Sequence, residues 1–218
     1  MDSKEWTKAL TGYNEKFKPN FDLVFILLKK EFEDNGVDDN FLRHIIKGWP
    51  HAEKDHPGIH GHQRRMPEKS LQEAIKVLHN LDSLIAKETS FEQLYETIRK
   101  QFKDIEFCRG PLVCYDVAMR IGQLYGIEPK ENVYLSNGAK IGAKRLLGEK
   151  HLPDVIKRSR LPKPLCNEQS IYIEDILCTF KDAFLPKNSP DYRSVEDILC
   201  TTSDCHSQIL GKRHKGCR

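Results

Sequence analysis

The chain has 218 residues, 39% of them hydrophobic and 31% charged, with a formal net charge of +3. This composition excludes the low-hydrophobicity, high-charge signature of disorder, and +3 alone is too little to argue for a nucleic-acid partner. The longest apolar run, Leu23 to Leu28, is far shorter than the roughly 18 residues of a membrane span, so no membrane partner is expected.

The opening residues, Met1 to Trp6, lack the basic start and apolar stretch of a secretory signal. A soluble, intracellular protein with reduced cysteines is therefore expected. The cysteines number seven, which leaves one over from any set of disulfide pairs. Cys108, Cys114, Cys166 and Cys178 sit among apolar residues, as small hydrophobes do.

In chain order, Phe21, Val24, Phe25 and Leu28 recur at helical spacing over residues 21–33, and Gly36 is a plausible stop. Ser70 and Glu73 have the spacing of a capping box and lead into an apolar stripe of Leu71, Ala74, Ile75, Leu78, Leu81 and Ile85. Ser90 and Gln93 repeat that device before Phe91, Leu94, Tyr95, Ile98 and Phe102. The short link between these last two helices predicts that they pack as neighbours. Val113, Val117, Ile121 and Leu124 define a further helix, closed by Gly126 and Pro129. Residues 139–147 form the next, and Ile173, Ile176, Leu177, Phe180 and Phe184 mark a later one. No sustained period-2 run predicts a substantial sheet.

Two stretches read as irregular: the His/Gly/Pro-rich loop 48–67, and the polar tail beyond about Pro186, with a basic end expected to be mobile. The reading is of one helical domain over 1–186, followed by a short helix and tail over 187–218. One hexapeptide recurs, Glu174–Thr179 returning as Glu196–Thr201 after 22 residues. A single recurrence does not make a repeat architecture.

The segment that carries chemistry begins at Cys108. There Arg109-Gly110-Pro111 places a glycine turn directly before an apolar helix. Glycine lets a ligand's backbone approach, and the new helix offers unpaired N–H groups and a positive dipole end to an anion. Gly110 is the candidate phosphate contact, and Arg109 adds a charge-assisted bond. About twenty residues on, Val133-Tyr134-Leu135-Ser136 leads into a second helix through Gly138 and Lys140.

Over residues 105–148 this pattern resembles the helix-hairpin-helix region of the DNA glycosylase superfamily. The resemblance implies an all-α fold, a multi-helix orthogonal bundle with a helix-hairpin-helix-like segment, and DNA as partner. Where that family keeps its catalytic aspartate the chain has Tyr134, and where bifunctional members keep a hairpin lysine it has Leu112. Neither side chain replaces a carboxylate or a Schiff-base amine. Asp116 is the nearest carboxylate, and a first-turn position gives it a structural role at the helix dipole. It is also the first suspect if the chain is a divergent glycosylase or lyase.

Between residues 140 and 163 eight basic residues face two acidic ones. Of these, Lys140, Lys144 and Arg145 are expected to support a phosphate backbone with Arg109, Gly110 and Gly138. His51, His56, His60 and His62 crowd one loop, and Cys200, Cys205, His206, His214 and Cys217 share the tail, but neither set has the spacing of a recognised zinc site. No metal and no cofactor is therefore expected. The reading is backbone recognition of DNA without family-type catalysis. A helical protein-interaction module, with an apolar face near Ile198 and Leu199, is the other alternative.

Overall fold

The computed structural model describes residues 1–48, 66–80, 85 and 90–200. These are mostly helical, with a single two-stranded sheet among them, so the expected all-α class holds. The His51, His56, His60 and His62 loop lies outside the described residues, as do Cys205, His206, His214 and Cys217. Among the described residues no helix is long and apolar enough to cross a membrane.

The chain divides into two compact units. The middle unit is Asn20–Glu131. The split unit joins Met1–Pro19 to the chain from Asn132 onward.

Helix α1 (Ser3–Lys16) belongs to the split unit and opens on a full capping box, in which Asp2 accepts from Lys4 and Glu5 N–H while Glu5 reaches back to Asp2 N–H. Helix α2 (Lys18–Asn35) extends past the predicted 21–33 and ends at Gly36, whose φ of 70° is the left-handed conformation of a helix C-terminus. Helix α3 (Asp39–Lys47) starts where the Asp38 side chain accepts from Phe41 N–H at 2.7 Å, and stops at Gly48. Neither α1 nor α3 was expected from periodicity.

Helix α4 (Glu68–Leu78) begins two residues before the predicted cap. Its N-cap is Pro67, and Ser70 is buried inside the helix, so the Ser70/Glu73 box does not form. The Ser90/Gln93 box does form, and it opens helix α5 (Phe91–Phe102). Helix α6 (Pro111–Tyr125) follows, closed by Gly126 at φ 70°. Helices α5 and α6 pack closely on each other, and α3 packs on both α4 and α6. Helix α4 touches α5, but packs more extensively on α3. The middle core includes Phe41, Ile45, Leu71, Leu78, Phe91, Leu94, Ile98, Phe102, Val117 and Ile121.

In the split unit, β1 (Asn132–Tyr134) pairs antiparallel with β2 (Val155–Lys157), Val133 opposite Ile156. Between them lies helix α7 (Asn137–Leu147), capped by Ser136. A 3-10 turn, Arg158–Arg160, precedes the short helix α8 (Lys163–Cys166) and then helix α9 (Ser170–Thr179). The chain leaves the helix at Phe180, so Phe184 lies beyond it rather than on its stripe. Residues 195–200 are helical again, opened by reciprocal bonds between Ser194 and Asp197.

Small residues decide how α7 meets α9. A Cβ at Gly142 would lie 2.0 Å from the carbonyl oxygen of Leu177, and one at Gly138 would lie 2.3 Å from Cys178 Sγ. Backbone therefore approaches backbone, and Ala139 and Ala143 fill the same buried face. The hexapeptide echo also has a place here. Asp175 of the first copy accepts from the Tyr13 hydroxyl at 2.9 Å, Glu196 of the second pairs with Lys8, and Leu199 lies against Gly12. Both copies thus dock on α1. Ile198 and Leu199 are buried in this core, which corrects the expectation of an exposed apolar face there.

Candidate nucleic-acid interface

The corner between α5 and α6 is held from several sides. Ile105 N–H donates to Phe102 O, and both Cys108 and Arg109 N–H donate to Ile105 O at 3.1 Å. Cys114 Sγ bonds to Cys108 O at 3.3 Å, and Cys108 Sγ lies 3.6 Å from Met66 Sδ. Burial pushes the Cys108 thiol up to about 12 and the Cys114 thiol to about 11, so both are neutral packing groups rather than nucleophiles.

At this corner Gly110 is the N-cap of α6, with no side chain capping the helix. Pro111 occupies the first helical position and has no N–H, which leaves the Leu112 and Val113 amides to open the helix. A Cβ on Gly110 would meet nothing within 4 Å, and Arg109 beside it is exposed. The start of α7 differs: there Ser136 Oγ accepts from Ala139 N–H at 3.3 Å.

One residue of the corner had no sequence signal. Phe107 is the single non-glycine with positive φ among the described residues, at 65°, and it is 52% exposed. An L-residue in this conformation costs roughly 1–2 kcal/mol. Its neighbours Ile105 and Cys108 are buried and pin the chain on either side.

The other expected contacts belong to the split unit. Lys140 is bonded to Asp154 at 2.7 Å, and Arg145 to Asp182 at 2.6 Å and to Lys181 O at 3.0 Å. Arg160 takes both oxygens of Glu149, and Arg158 reaches Glu168 O. Much of the basic stretch therefore serves internal pairing. Lys144 is half-buried, with no ion pair among the described residues. Gly138 is a packing glycine against Cys178. Tyr134 is buried in β1.

Asp116 is the sixth residue of α6 rather than a first-turn residue, and it is 3% exposed. One turn on, Arg120 is 4% exposed and donates to the Ile45 and Ile46 carbonyls at 2.8 and 3.4 Å, near the C-terminus of α3. Burial lowers the Arg120 pKa and the Asp116 charge opposes that shift. A second buried polar group joins α2 to α3: Glu31 lies 2.7 Å from His44 Nδ1 and accepts from Asn40 at 2.9 Å. Neither cluster was anticipated, because their members are brought together by packing. Among the described residues no three His, Cys, Asp or Glu side chains gather as a metal site.

Comparison with protein-family models, curated proteins and solved structures finds no match for this chain.

Proposed function

We propose that this chain binds nucleic acid through its phosphate backbone, with the contact at the Arg109–Gly110 corner and without glycosylase-type chemistry. The observation that carries the reading is the opening of α6: an uncapped helix start with open space over a half-buried Gly110 and an exposed arginine next to it. An anion gains there from bare amides, from the helix dipole and from a guanidinium. The close α5–α6 pair joined by this corner supports a helix-hairpin-helix-like role for it. Lys140 and Arg145 are engaged internally.

The measurement is binding of labelled oligonucleotides over a series of salt concentrations. Affinity is expected to fall as salt rises, and Arg109→Ala is expected to weaken binding across sequences while reducing the log–log salt slope by about one. Undetectable or salt-independent binding would end this reading.

A further inference from the structure

We infer that Phe107 is a stacking platform for an unpaired base, so that the nucleic acid held at this corner is single-stranded; the inference rests on the backbone-binding reading above. The turn from Ile105 to Arg109 needs a left-handed residue at Phe107, a position that glycine fills without strain. The ring contributes little to the core, since it is 52% exposed. A costly residue thus stands where neither the turn nor the packing calls for it, a pattern associated with ligand clamps.

What stands beside Phe107 in the chain selects the partner. Arg109 is two residues away and exposed, and the uncapped start of α6 is three residues away. Three residues of chain span at most about 10 Å, so one nucleotide can lay its base on the ring and its phosphate at the arginine. An apolar protein segment would use the ring and leave the cation and the amides idle. The ligand that uses all three is both aromatic and anionic. A duplex keeps its base faces stacked inside, so the ring is open only to a strand whose bases are free.

The test is fluorescence anisotropy with labelled oligo-dT of about 12 nucleotides and with a duplex of the same length, on the full chain. Wild-type protein is expected to prefer the single strand. Phe107→Gly is expected to lower that affinity roughly 5- to 150-fold while the melting temperature holds or rises by up to about 4 °C, because glycine relieves the backbone. Phe107→Trp is expected to retain binding. Unchanged affinity in Phe107→Gly overturns the stacking role, and so does a loss of affinity that comes with a lower melting temperature. If Arg109→Ala weakens binding while Phe107→Gly does not, backbone recognition stands and stacking falls. If wild-type protein binds neither strand, both fall.

Discussion

Arg120 is a buried, hydrogen-bonded cation of the middle unit. Its guanidinium is buried, satisfies carbonyls near the end of α3 and has Asp116 as its counter-charge one turn away. Removing that nearby buried charge leaves the guanidinium less compensated. Asp116→Ala is therefore expected to destabilise the protein by about 0.5–3 kcal/mol in urea unfolding. A change within experimental error would show that Arg120 does not depend on that carboxylate. A pair at the surface has a different signature. Arg43 forms two bonds to Glu68, at 2.7 and 2.9 Å, and Gln72 adds a third, which holds the Glu68 carboxyl down at about 2. A depressed carboxylate pKa stabilises the folded state above the unfolded value near 4.5, and the contribution is lost as pH falls toward 2. The gap in urea midpoint between wild type and Glu68→Gln should be constant above about pH 5 and close between pH 4.5 and 2. A gap that widened on acidification would contradict the sign.

At the scale of elements, the α7–α9 contact separates two kinds of steric demand. Gly142→Ala sets a methyl against the Leu177 carbonyl, which only a backbone shift can relieve. Gly138→Ala meets a thiol that can be trimmed. Both are expected to destabilise by about 1–3 kcal/mol in thermal or urea melts. In a double-mutant cycle Cys178→Ala should recover part of the loss at Gly138 and none at Gly142. Equal recovery at both positions would show that α9 moves as a body.

Element by element, legibility followed the strength of local signals. The Ser90 box and the Gly126 stop were readable because capping and glycine act within a few residues. Helix α1 escaped because its buried positions, Trp6, Ala9, Gly12 and Tyr13, make a thin stripe among lysines and threonines; its Asp2/Glu5 box was the usable signal. Strands of three residues are too short to show alternation. The corner at Gly110 was legible as a helix opening, whereas the fate of Lys140 and Arg145 was not, since Asp154 and Asp182 reach them only through folding. Phe107 was illegible for the opposite reason: phenylalanine is not a residue that announces a left-handed turn.

For the whole molecule, the division into a continuous middle unit and a split one sets what each needs. Trp6, Ala9 and Tyr13 lie in the same core as Ile176, Leu177, Phe180 and Leu199. Deleting α1 is therefore expected to abolish hydrogen-exchange protection in α7 and α9 while α5 and α6 keep theirs. Uniform loss across both units would show that they unfold as one.

That arrangement also bears on biosynthesis. Helix α1, with only 14 residues, is marginal as a helix by itself, and its partners emerge after the whole span from Asn20 to Glu131 has been translated. At ribosomal speeds this is a delay of about 5–20 s, during which Trp6 and Tyr13 stay uncovered on the nascent chain. The middle unit is free to fold in that interval, and α1 is the segment left for a chaperone to hold.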